Sequence, residues 1–311
     1  MTARWTQLGV AVVVAFLPGA AVATAPDTLP LRVRLAWQIA LERVCLSPGI
    51  LDGRIGPKTR LAVREFQRVR RLPRTGRLDE ATASLLGVDR ARALGSYTVT
   101  GEDVRRVGPV PRSWLAKSRL SYLGYPSLVE LVAEKFHCSR SLLAALNPGK
   151  SLRRLRAGDR LVVPAVAPTR PPKVVGDRLD VDLSARVIRV CAGNRLLGLF
   201  HCSIAADRAK RPSSTTVITT IVESPSYTFR PEMWPNVTSV RGPLSIPPGP
   251  RNPVGLCWIG LGLPGYGIHG TPAPELIGKT GSHGCFRLTN WDVLRLRHMT
   301  RVGATVSFAH R

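Results

Sequence analysis

Acidic residues are scarce. Only 20 aspartates and glutamates stand against 45 lysines and arginines in 311 residues, giving a formal net charge of +25. That excess attracts anionic partners such as cell-wall polymer or a membrane surface. A GC-rich coding sequence would also scatter arginine widely, and here arginine is spread through every segment, with short clusters at 68–74 and 153–156. No nucleic-acid-binding fold signature accompanies the charge, so no nucleic-acid partner is expected. Beyond the N-terminus no apolar run is long enough to cross a bilayer, which leaves no stable membrane span. The six cysteines include no C-x-x-C pair, the usual mark of a cysteine metal site, so neither metal nor cofactor is expected.

The chain begins as a leader would. Arg4 supplies a positive start, Leu8 to Leu17 a short apolar stretch, Pro18-Gly19 its end and Ala21-Val22-Ala23 a small-x-small site. A signal peptide over 1–23 is expected, which exports the protein to the periplasm or cell wall. No cysteine stands at that junction, so lipid anchoring is not indicated. Export permits disulfides. Cys191 and Cys202 fall on two arms of a hairpin around Gly193-Asn194, and counting outward sets Cys191 against Leu196 rather than Cys202. The pairing of Cys45, Cys138, Cys191, Cys202 and Cys257 stays open, and a monomer is expected.

Residues 31–88 carry apolar positions at helical spacing, among them Leu35, Ile39, Leu61, Phe66 and Val69, around a turn cluster at 51–57 where Pro57 can open a helix. With Asp52-Gly53, Ile55-Gly56, Glu65-Phe66-Gln67, Thr75-Gly76 and Leu78-Asp79, this segment resembles a three-helix peptidoglycan-binding domain. Residues 96–120, broken by proline and glycine, read as an extended connection. In 121–165, Ser127 and Ser139 are placed to cap helices at 128–136 and 140–146, and a short strand follows Gly158-Asp159. The L-N-P and A-G-D-x-L-x-x-P patterns make this segment resemble a βααβ LysM module, a binder of glycan strands, with its first strand expected near 122–125. Residues 166–173 form a Pro-rich linker. From 174 to 309 short strands dominate, with one late helix at 291–299 and a closing strand at 304–308.

The chemistry gathers late, in Ile268-His269-Gly270-Thr271 and Ser282-His283-Gly284-Cys285-Phe286-Arg287-Leu288. A thiolate is the reactive form of cysteine, and a neighbouring imidazole can lower the thiol pKa or take its proton. Gly284 leaves backbone N–H groups beside the sulfur able to bind an oxyanion. His269, His283 and Cys285 read as zinc ligands would lack a fourth partner at customary spacing. Cys285 read as a buried structural thiol would lack an apolar niche. With Pro247-Pro248-Gly249-Pro250-Arg251-Asn252-Pro253-Val254-Gly255, Tyr266-Gly267 and Ile277-Gly278, these motifs make the last 135 or so residues resemble the catalytic domain of L,D-transpeptidases.

That resemblance implies a multidomain chain: a small three-helix domain, a LysM-like module and a mostly antiparallel β catalytic domain. It implies a peptidoglycan L,D-transpeptidase in which Cys285 attacks a stem tetrapeptide, expels D-alanine and passes the acyl group to an amine in a 3→3 cross-link. His269 would be the base, oriented by the Gly270 carbonyl, and the Gly284 and Cys285 N–H groups the oxyanion hole. His283 would line the site, while Arg287, Ser282, Tyr266 and Thr271 would meet the substrate. Stem peptides and glycan strands are the implied partners. Water as acceptor would make the same site an L,D-carboxypeptidase, and a dead site would leave a non-catalytic cell-wall tether. Two tethered binding modules also imply a catalytic domain that survives removal of everything before Val174.

Overall fold

The computed structural model describes residues 29–166, 173–233 and 237–310. The expected leader and most of the expected linker lie outside them.

Three helices come first: α1 (Leu31–Arg43), α2 (Pro57–Val69) and α3 (Glu80–Leu86). Pro57 opens α2, where its missing N–H costs nothing. Asp79 caps α3 by accepting from the Thr82 N–H, and Gly87 ends that helix in the left-handed region. Helix α1 is buried without a break from Leu35 to Glu42. Its side chains serve two cores: Leu35, Ala36 and Ile39 face the following module. Trp37, Ala40 and Leu41 pack with α2 and with Val187 and Leu199.

Next come β1 (Leu94–Thr98), α4 (Gly101–Arg105), α5 (Trp114–Ser118), α6 (Leu128–Lys135), α7 (Arg140–Leu146) and β2 (Arg160–Pro164). Ser127 and Ser139 cap α6 and α7 as their positions suggested. The expected extended connection at 96–120 is corrected. It contains most of β1 and two short helices, α4 capped by a reciprocal Thr100–Asp103 box and α5 capped by Ser113. The first strand of the module is therefore not near 122–125. Strand β1 pairs antiparallel with β2 from Leu94↔Pro164 to Thr98↔Arg160, a partnership more than 60 residues long in sequence that no local pattern announces.

The remaining strands are β3 (Arg178–Asp182), β4 (Val187–Ala192), β5 (Arg195–His201), β6 (Thr216–Glu223), β7 (Tyr227–Phe229), β8 (Leu244–Ile246), β9 (Cys257–Leu261), β10 (Gly267–His269), β11 (Phe286–Arg287) and β12 (Thr305–Ala309), with α8 (Asn290–Met299) before the last. Eight of them make one sheet in the order β11-β10-β9-β6-β12-β3-β4-β5. Only β10–β11 and β12–β3 are parallel pairs. Cys191 lies opposite Leu196, the register counted from the Gly193-Asn194 turn, and all six cysteines are unbridged. One face of the sheet buries Ile188, Val190, Phe200, Ile259, Ile268, Phe286 and Val306 with Val293 and Leu296 of α8.

The other face of β4 and β5 is also covered. Val187 and Leu199 pack into the α1–α2 core, and Arg189 between them donates to Glu65 of α2 at 2.7 and 3.0 Å. The edge of β5 is closed by residues 45–47, through Leu199 N–H to Cys45 at 2.9 Å and Ser47 N–H to Leu199 at 2.8 Å. A third junction joins all three segments. Glu42 of α1 accepts from Arg295 of α8 at 2.6 Å and meets His137, after α6, at 2.5 Å. The N-terminal segments thus supply part of the hydrophobic cover of β4 and β5, which counts against a catalytic domain that stands without everything before Val174.

Candidate active site

His269 ends β10, flanked by β9 on one side and β11 on the other. Its register partner on β9 is Trp258, and the two rings stack with centroids 5.6 Å apart. The imidazole is buried, with Nδ1 2.7 Å from the Gly270 carbonyl oxygen. A carbonyl only accepts, so this contact places the proton on Nδ1 and leaves Nε2 with the lone pair. Burial pushes the His269 pKa down to about 4, against the contribution of that hydrogen bond and aided by the charge of Arg287.

Cys285 sits immediately before β11, level with Gly267 of β10, because Ile268 pairs with Phe286 and His269 with Arg287. Ile268 and Phe286 turn into the core. Alternation then sends Cys285, Arg287 and His269 to the opposite face together. The thiol is half-buried and its Sγ lies 3.5 Å from the Gly265 carbonyl. Burial raises its pKa, opposed by the Gly267 backbone and by Arg287.

The loop before the thiol is fixed by backbone bonds. Ser282 N–H donates to Ile204 at 2.8 Å and the Ser282 carbonyl accepts from Ala206 at 3.0 Å. Its hydroxyl donates to the Cys285 carbonyl at 2.5 Å and accepts from the Gly284 N–H at 3.3 Å. Gly284 is packed so that an added Cβ would lie 3.5 Å from the Tyr266 ring. Tyr266 in turn donates its O–H to the Lys210 carbonyl at 2.9 Å. Arg287 donates to the Gly281 carbonyl, closing the base of the loop. His283 is exposed, and buried Thr271 accepts from the Ala273 N–H at 3.3 Å.

The fold thus gathers Cys285, Gly284, Ser282, Arg287 and Tyr266 around one loop, with His269 and Gly270 on the adjoining strand. Sequence reading missed Trp258, since only strand register sets it against His269. It also missed Glu134 of α6, which reads as an ordinary polar position on an amphipathic helix yet accepts from Asn290 at the N-terminus of α8. Among the described residues no three His, Cys, Asp or Glu side chains gather as metal ligands would.

Residues 176–307 match the family described as L,D-transpeptidase catalytic domain, and residues 34–86 match a peptidoglycan binding domain family. A Bacillus licheniformis protein named as L,D-transpeptidase YkuD is 28% identical over 179 residues, 58% of this chain and 92% of the relative. The Escherichia coli protein named as L,D-transpeptidase YbiS is 38% identical over 96 residues, 30% of this chain and 31% of that one. A solved L,D-transpeptidase structure from Xylanimonas cellulosilytica aligns at 15% identity over 92% of this chain and 95% of its own. Its TM-score of 0.34 is too low to add to the assignment.

Proposed function

We propose, from the match of residues 176–307 to the L,D-transpeptidase catalytic domain family, that the chain is a peptidoglycan L,D-transpeptidase forming 3→3 cross-links. The Cys285 sulfur attacks the carbonyl carbon of the third residue in a stem tetrapeptide, and its proton passes to Nε2 of His269. The bond to the terminal D-alanine breaks, that proton leaves with the amine, and a thioester remains on Cys285. A side-chain amine of a second stem then attacks the thioester, giving the cross-link and restoring the thiol. The observation that carries this reading is the fixed imidazole. With Nδ1 2.7 Å from the Gly270 oxygen, His269 presents an unprotonated Nε2 on the face shared with Cys285.

Backbone N–H groups of Cys285 and Gly284 are the oxyanion donors in this scheme. The Gly284 N–H reaches Ser282 Oγ only at 3.3 Å, a long bond for which an oxyanion can compete. Arg287, always cationic, stabilises negative charge on the sulfur and is the group suited to a substrate carboxylate. The peptidoglycan-binding family match at 34–86 supports the same substrate, and the βααβ segment is read as a LysM-like glycan binder beside it. Work on peptidoglycan places the protein in the cell wall or periplasm.

Mass analysis of products from disaccharide-tetrapeptide incubated with the full chain tests this. Dimers lacking one D-alanine are expected. Tripeptides alone would mean that water is the acceptor, and unchanged substrate would leave only a wall-binding role.

A further inference from the structure

The segment from β1 to β2 does more than lie against the catalytic domain. Glu134, on α6, reaches into it. Both Glu134 carboxylate oxygens accept from Asn290 Nδ2, at 3.1 and 3.2 Å, and Tyr125 donates its O–H to Oε1 at 2.9 Å. The same Asn290 amide nitrogen lies 3.2 Å from the Pro250 carbonyl. Its Oδ1 accepts the Leu256 N–H at 3.2 Å. Asn290 is 1% exposed, and its amide is satisfied by Glu134, Pro250 and Leu256.

The amide also touches the backbone that orients His269. A Cβ on Gly270 would lie 2.3 Å from Asn290 Oδ1, and one on Gly255 would lie 2.2 Å from the same atom and 2.6 Å from the Gly270 carbonyl carbon. Gly255 has φ +64, which lets the turn pass this close to Gly270 without a side chain. Asn290 Oδ1 is therefore wedged among the Gly255–Leu256 turn and Gly270, whose carbonyl fixes Nδ1 of His269. An amide has two orientations, and the carboxylate selects one of them together with the Pro250 carbonyl and the Leu256 N–H. Turned over, Asn290 would set its Oδ1 against Glu134 and the Pro250 carbonyl and its NH₂ against the Leu256 N–H, repulsive contacts in place of attractive ones.

We propose that Glu134 is a positioning residue for the catalytic histidine, acting through Asn290 on the Gly270 peptide and so making the segment from β1 to β2 part of the catalytic machinery. This rests on His269 acting as the base, as above. Glu134 touches no reacting atom in this scheme. Its effect is to hold the acceptor for the Nδ1 proton in place, and misplacement on the order of 1 Å can cost roughly 10²-fold in rate.

The experiment measures the histidine directly. ¹⁵N spectra of histidine-labelled full-length protein report whether His269 is a single Nδ1–H tautomer, whatever the enzyme's substrate. Wild type is expected to show that one form. Glu134→Met should mix the tautomers and slow acylation of Cys285 by about tenfold to a hundredfold with KM little changed, and Glu134→Gln should restore most of both. If Glu134→Met does not fold, its combination with Tyr125→Phe, which removes a second orphaned donor, carries the same comparison. A folded Glu134→Met with an unchanged tautomer and acylation rate would overturn the proposal while leaving the transpeptidase reading intact. Wild-type protein that never acylates would overturn the functional reading, and the tautomer comparison would still decide the role of Glu134.

Discussion

Cys285 and His269 sit on one face of the sheet, and burial disfavours the charged form of each. Burial raises the thiol and drops the imidazole to about 4. Alkylation of Cys285 by iodoacetamide should therefore climb with pH and still be rising at the ordinary thiol value of about 8.5. A plateau already reached near pH 7 would instead mean a thiolate–imidazolium pair. Peptide mapping separates this site from Cys138, Cys202 and Cys257, which burial pushes up to about 12. Cys285→Ala should abolish turnover and keep the fold. His269→Ala should slow acylation by about 10²–10⁴-fold, the usual worth of a positioned proton acceptor, and exposed His283 should matter less. Single-turnover rates for the two alanine variants check the order, and a larger loss at His283 across the pH range would reverse the assignment of the base.

Among elements, the loop from Pro247 to Gly255 is held both by its own side chains and by its neighbours. Asn252 holds it internally, donating to Pro247 at 2.8 Å and accepting from Val254 at 2.9 Å. The Leu123 N–H, before α6, donates to the Pro248 carbonyl at 2.8 Å. Gly249, at φ +137, lies so close that a Cβ there would sit 2.2 Å from the Leu123 oxygen. Gly249→Ala should accordingly lower stability by about 1–3 kcal/mol, the range for overpacking against unyielding backbone. Urea unfolding measures this, and a midpoint equal to wild type would show that the loop moves freely off Leu123. The β7–β8 hairpin beside it is sealed by Trp114 of α5, stacked on Phe229 at 4.2 Å. The segment 96–120, expected to be an extended connection, thus provides a helix that caps the catalytic domain.

For the whole molecule, the interfaces behave as cores rather than as contacts between independent modules. Glu42 is buried between Arg295 and His137, and these partners hold its carboxyl below the usual carboxylate range even though burial alone would raise it. Glu42→Ala takes the carboxylate from between Arg295 and His137, and breaking a buried ion pair in this way typically costs about 3–5 kcal/mol. Denaturant titration should show that loss in one cooperative transition. Two transitions, with only the first displaced, would mean that the N-terminal segments unfold separately. Removal of everything before Val174 should yield a poorly soluble or unstable product, because it uncovers Val187 and Leu199, both 0% exposed, and strips the edge of β5. A soluble fragment with full activity on soluble muropeptide would refute this.

Much of the site was legible in the sequence because its determinants are local. Gly284-Cys285 sets backbone N–H groups beside a thiol and His269-Gly270 sets a carbonyl beside an imidazole, each within two residues, and the Gly193-Asn194 turn sets Cys191 against Leu196 by counting, before a bulge at Val190 shifts the register. Ser127 and Ser139 announce their helices for the same reason, since a cap acts on N–H groups two or three residues away. The pairing of β1 with β2, the cover over Val187 and Leu199, Trp258 against His269, and Glu134 on Asn290 were decided only by tertiary structure. Each joins residues far apart in the chain through side chains whose local pattern serves a solvated helix or a half-buried strand equally well. Periodicity says which face of an element is apolar, but not which distant surface will cover it.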